Sequence, residues 1–117
     1  MAKKVKPIPK GYHTATPYLI VDDGARAIEF YERAFGAVEV MRMPAPGGKV
    51  GHAEIKIGDS PIMLADEAPE MDARSPKHYG GSPVSLLLYV EDVDKVFDQA
   101  VTAGGNGDAP GDRHVLR

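Results

Sequence analysis

The chain has 117 residues, 43% of them apolar and 26% charged, with a formal charge of −3 and no cysteine. That length supports one domain with a modest core. The missing cysteine excludes disulfides, thiolate nucleophiles and thiolate metal sites. With no apolar run near twenty residues, no membrane span is expected.

Residues 1–11, MAKKVKPIPKG, form an N-terminal tail. Its lysines have no apolar stretch behind them, so it does not look like a secretory signal. Spaced through prolines on an acidic chain, they suggest a solvated segment, not a nucleic-acid arm. A cytoplasmic location is the expectation.

From Tyr12 the sequence predicts a first unit ending at Asp66. A strand leads into VDDGARAIEFYERAFG, Val21 to Gly36. Asp23 is placed to cap a helix. Ala27, Ile28, Tyr31, Ala34 and Phe35 form its apolar face, and Gly36 its left-handed stop. At that spacing Phe30, Tyr31 and Phe35 suit core packing. Val38–Met43 is a weakly alternating strand, and Pro44–Lys49 a turn. Val50–Ile57 alternates clearly, with Gly51, Ala53, Ile55 and Ile57 on one face and His52, Glu54 and Lys56 on the other. Gly58-Asp59 turns the chain into a short apolar strand, Pro61–Ala65. The unit is therefore βαβββ.

Residues 67–83 are a polar linker with three prolines and the Gly80-Gly81 pair. A second unit then opens at residues 84–105. Val84–Val90 is a predicted strand, followed by an Asp92 cap, an apolar face from Val93 to Val101, and the Gly105 stop. This unit repeats the first in register: Asp23 and Asp92, like Leu19 and Leu88, lie 69 positions apart. A module duplicated inside one chain is the expectation. Residues 106–117 are a short glycine-rich tail, so the second module is expected to be incomplete. The Leu86–Leu88 run then lacks an intrachain cover. A homodimer, exchanging the strand–helix unit about Gly80-Gly81, would supply one.

Three stretches, TPYLIVDDGARAIEFYERAFGA, GHAEIKIGDSPIMLAD and SLLLYVEDVDKVFDQAVTAG, resemble the vicinal oxygen chelate superfamily, most closely its PhnB-like glyoxalase/bleomycin-resistance branch. The resemblance implies an α+β fold of paired βαβββ modules, the glyoxalase/bleomycin resistance/dihydroxybiphenyl dioxygenase fold, curled around a cavity. In metal-dependent members each module supplies one ligand from its first strand and a carboxylate from its last. The matching positions here are Thr16, Ser85 and a residue near Met63. None is His, Gln or Glu, so the usual metal site is expected to be absent. Gly111–His114 resembles a glycine-Asp-Arg segment of the family, or is simply part of the tail.

Candidate ligand-binding residues are Thr16, Tyr18, His52, Glu54, Met63 and Ser85. Glu54 is the candidate acid/base, with His52 as its partner; plain alternation with Lys56 would equally make this pair a solvated face. Tyr12 and His13 suit a pocket mouth or an ordinary turn. His78 and Tyr79 suit a lid or a bare surface. Three functions stay open. One is a small-molecule binder of the bleomycin-resistance type, with no cofactor. Another is a lyase or isomerase resembling lactoylglutathione lyase, with Zn, Ni or Fe. The third is a shortened paralogue stabilised only by oligomerisation.

Overall fold

The structure is a computed structural model. It describes residues 6–105, 107–108 and 115–116. Gly111–His114 lies outside the described residues.

The fold is α+β. Strand β1 (Tyr18–Val21) leads into helix α1 (Gly24–Phe35), followed by β2 (Val38–Ala45), β3 (Lys49–Ile57) and β4 (Ser60–Asp66). These strands form one sheet in the order β1-β4-β3-β2. β1 runs parallel to β4, and the other neighbours are antiparallel. The expected βαβββ order is present, and β2 runs further than the sequence suggested. Pro44 is tolerated because β2 is an edge strand and the ladder shifts register between Met43 and Pro44.

Helix α1 starts where Asp23 accepts a hydrogen bond from the Arg26 N–H. It stops at Gly36, at φ 68°, whose N–H donates to the Glu32 carbonyl. A glycine takes that left-handed conformation at little cost. The helix lays Ile28 on the face of the sheet that carries Val50, Ala53, Ile55, Ile62 and Leu64. Ile28, Ala53, Ile55 and Leu64 are fully buried. From His52 onward the alternation of β3 sends Ala53, Ile55 and Ile57 to the helix and His52, Glu54 and Lys56 to the opposite face; at its start the register shift about Gly51 turns Val50 to the helix side, where strict alternation had placed Gly51.

Asp66 ties these pieces together. One carboxylate oxygen accepts from the Gly24 N–H at 2.8 Å, the other from the Val50 N–H at 2.7 Å. The last β3–β4 pair at this end is Ala53 with Leu64, so the side chain continues where the ladder stops. Gly24 sits so close to β3 that a Cβ there would lie 2.9 Å from the Val50 Cβ.

Three sequence expectations need correction. The first strand begins at Tyr18, so Thr16, expected on that strand, lies before it. Pro17 has no N–H to give, and pairing starts with its carbonyl, which accepts from the Met63 N–H at 3.0 Å. Secondly, residues 67–83 are not plain linker. Ala68 bridges Ala73, Asp72 takes a left-handed turn at φ 57°, and Pro76–Tyr79 forms a short helix, α2. Thirdly, Val84–Val90 pairs with no strand among the described residues and is mostly exposed. Its composition favours a strand, but an extended segment needs a hydrogen-bonding neighbour to become one.

The helix of the second repeat, α3 (Val93–Thr102), does form. Asp92 accepts from the Lys95 N–H, as Asp23 does from that of Arg26. The caps keep the 69-residue register. The stop comes earlier than Gly105, with Ala103 as the cap and Gly104 at φ 122°. Helix α3 packs beside α1 through the buried Ala100, and the Gln99 amide donates to the Arg33 carbonyl at 3.0 Å. Beyond it, β5 (Gly107–Asp108) pairs with β6 (Val115–Leu116).

In the 67–75 loop, Glu67 accepts from the Ser75 N–H at 2.8 Å. That backbone hydrogen bond holds the Glu67 carboxyl below its ordinary range. A depressed carboxyl stabilises the loop above its unfolded value, and the gain is lost as pH falls through the folded one. The Ser75 amide proton is expected to shift with a midpoint below the ordinary glutamate range in an NMR pH titration. A midpoint at the ordinary value would show that the bond does not hold in solution.

Candidate functional site

The face of the sheet turned away from α1 collects the candidate side chains. Strand register sets its floor. Tyr18 on β1 lies opposite Met63 on β4. Met63 lies opposite Glu54 on β3, and Glu54 opposite Met41 on β2. His52 lies opposite Met43. Tyr18, His52, Glu54 and Met63 therefore share one surface, with Met41 and Met43 at its β2 side.

Hydrogen bonds run across this surface. Tyr12 donates its hydroxyl to the Glu54 carboxylate. The other Glu54 oxygen lies 3.6 Å from His52 Nε2. His52 Nδ1 is 2.9 Å from the Tyr18 hydroxyl, and the two rings tilt against each other at 5.5 Å between centroids. The result is a Tyr12–Glu54–His52–Tyr18 chain, two hydrogen bonds joined by the longer Glu54–His52 contact. The hydrogen bond to Glu54 is the main cause that raises the Tyr12 hydroxyl above its ordinary pKa. Glu54 has only 14% of its side chain exposed, and His52 26%.

This arrangement can bind and move a proton. A carboxylate with two partners, an imidazole and two phenols supply donors and acceptors. The thioethers supply an adaptable apolar surround. Tyr12 is the member that sequence reasoning passed over as a turn residue. Its Glu54 contact spans 42 positions, and nothing local signals it.

The remaining candidates lie elsewhere. Thr16 is half-buried ahead of β1. Ser85 is exposed in the unpaired 84–90 segment, and the structure does not bring it to the sheet face by any hydrogen bond. His78 and Tyr79 stack edge-to-face at 4.9 Å on exposed α2. Phe30, Tyr31 and Phe35 cluster as expected, but they are only half-buried. Phe30 and Tyr31 line a cleft of about 850 Å³ between α1 and the end of α3. Its walls carry charges of both signs, Asp22, Asp23, Arg26, Glu29 and Arg33. It has no chain of linked titratable groups, so the sheet face is the better candidate.

A divalent ion in this fold needs several converging hard donors. Only His52 and Glu54 qualify on the sheet face, and both are engaged by tyrosine hydroxyls. Among the described residues no three His, Asp or Glu side chains converge. Among the described residues Thr16, Met63 and Ser85 do not complete such a set.

The sequence profile of the Glyoxalase/Bleomycin resistance protein/Dioxygenase superfamily matches residues 12–116. The chain belongs to this superfamily. An uncharacterized protein of Mycobacterium bovis is 46% identical over 92 residues, covering 76% of this chain and 60% of its own length. The chain thus spans less than two thirds of that relative. Solved structures agree on the fold. A gene product of Arabidopsis thaliana superposes with a TM-score of 0.72 at 22% identity, over 90% of this chain and 89% of the other. The bleomycin resistance determinant of transposon Tn5 superposes at 0.57 and 23% identity, over 86% and 72%. The fosfomycin resistance protein FosX of Listeria monocytogenes, complexed with Mn(II), superposes at 0.60 and 15%, over 89% and 81%.

Proposed function

We propose that this protein binds a small organic molecule on the open sheet face, in the manner of the bleomycin-resistance members and in a PhnB-like branch of the superfamily. The observation that carries the reading is the Tyr12–Glu54–His52–Tyr18 chain set among Met41, Met43 and Met63. A few fixed polar groups in an apolar surround are the usual make-up of a ligand site. Glu54 is its acid/base group if the bound molecule reacts. Thr16 sits at the edge of the site, and Ser85 joins it only through a second copy.

A single sheet face is a floor without a roof. A second copy of the chain, offering its own half, would close the site, and a homodimer is part of the proposal. The lyase or isomerase reading resembling lactoylglutathione lyase is the second one. It is favoured only by the acid/base pair, and it requires metal donors from outside the described residues.

Screening the purified protein with a small-molecule library by amide NMR tests the site. Hits are expected to move the amides of Met41, His52 and Met63, and to weaken at least about tenfold in His52→Ala/Glu54→Ala. Hits confined to the α1–α3 cleft would overturn the proposal. Stoichiometric zinc, nickel or iron in the same preparation would favour the lyase reading.

A further inference from the structure

Charge on the sheet face narrows the class of molecule it takes. We infer that the site selects an organic cation, a protonated amine carried on a flat apolar body. This rests on the proposed binding role of that face.

Glu54 is the fixed charge at the centre of the face. Met41 and Met63 flank it in the strand register, one on each side. No lysine or arginine pairs with it among the described residues; its contacts are Tyr12 and His52. Arg42, the nearest arginine along β2, is paired with Ala53 on the helix side and is held by Glu39 at 2.7 Å. Lys56 lies further along β3, opposite Pro61, and is exposed. Asp66, the next carboxylate on β4, is committed to two backbone N–H groups.

An anionic ligand brought to the centre of the face meets a carboxylate, and the cation that shares the face, Lys56, stands two positions along β3 and in solvent. An ammonium meets the reverse. It can form a charge-assisted hydrogen bond to Glu54. It can also lie against the ring of Tyr18, which is 48% exposed, as cations do on aromatic faces. The thioethers accommodate a flat body beside it. Partial burial of Glu54 makes the attraction stronger than at an open surface. One place is already taken, because the Tyr12 hydroxyl occupies one carboxylate oxygen. Tyr12 thus holds the position that the amine must claim, and it weakens binding by competing for the same lone pairs.

The test uses three probes with one body: 2-naphthylmethylamine, 2-naphthylmethanol and 2-naphthoate. Each is titrated into the intact protein at neutral pH and followed through amide shifts. The amine is expected to bind about tenfold more tightly than the alcohol, and the naphthoate more weakly than either. In Glu54→Gln the preference for the amine should vanish, both probes then binding this variant with similar affinity. In Tyr12→Phe the amine should gain severalfold and the alcohol little. Equal binding of amine and alcohol, with shifts still at Met41, His52 and Met63, would overturn the cation inference and leave the binding face standing. Shifts elsewhere, or none for any probe, would overturn both. If Glu54→Gln does not fold, an unchanged amine affinity in Tyr12→Phe still counts against the inference.

Discussion

Asp66→Ala is expected to lower the unfolding free energy by about 3 kcal/mol, a large part of what a domain of this size possesses. The carboxylate accepts from Gly24 and Val50 at 2.8 and 2.7 Å. Gly24 is the first residue of α1, where N–H groups have no partner inside the helix. Both residues are buried, so truncating the acceptor leaves two donors away from water. The helix start also loses a negative charge that its dipole favours. Asp66→Asn keeps one acceptor oxygen but turns an NH2 toward the other donor, so a loss of about 2 kcal/mol is expected. Urea unfolding followed by circular dichroism measures both. A change under about 0.5 kcal/mol in Asp66→Ala would place it in the range of ordinary surface substitutions and refute the tie between helix and sheet.

That tie shows where sequence reading stops. Asp23, Asp92 and Gly36 act within a few residues of themselves, so their roles are legible in the chain. The alternation of Val50–Ile57 is legible for the same reason, since a pleat sends neighbours to opposite faces. It placed Ala53 and Ile55 on the helix and His52 with Glu54 opposite. Asp66 looks like any polar residue closing a strand, because its partners lie 42 and 16 positions away. Tyr12 is hidden likewise: a tyrosine beside a turn gives no hint of a carboxylate on β3. The 67–75 loop fails for another reason. Its shape depends on Asp72 adopting a left-handed turn, which aspartate tolerates but does not demand. The cluster of candidate residues was therefore partly readable, through Tyr18, His52, Glu54 and Met63, whereas the polar contacts of Tyr12 with Glu54, Glu54 with His52 and His52 with Tyr18 were not.

The Val84–Val90 segment sets the last expectation, that purified protein is a dimer at micromolar concentration. Leu87 is 68% exposed, Val84 70% and Tyr89 95%. Such a run of apolar side chains is uncommon on a free surface. Its backbone belongs to no ladder among the described residues, Val84 meeting only the Ser82 hydroxyl, and unladdered N–H and C=O groups template pairing. The sheet offers the matching feature, because β1 stands at its edge with one side unpaired among the described residues. The repeat sets Leu19–Val21 in register with Leu88–Val90, so the two segments have similar apolar patterns. In a two-fold dimer each copy would offer its 84–90 segment to the partner's β1 edge, and each contact is made twice. The association must overcome several kcal/mol of lost freedom, and burying a leucine returns about 1.5–3 kcal/mol. Light scattering should report twice the 12.5 kDa chain mass. Leu87→Glu/Tyr89→Glu should raise the dissociation constant at least about a hundredfold, since 1.4 kcal/mol is tenfold and two apolar anchors are removed from each copy. Circular dichroism should show module one, residues 12–66, still folded. A wild-type monomer with slow amide exchange at Leu86–Leu88 would reject the dimer, because the segment would then be covered within its own chain.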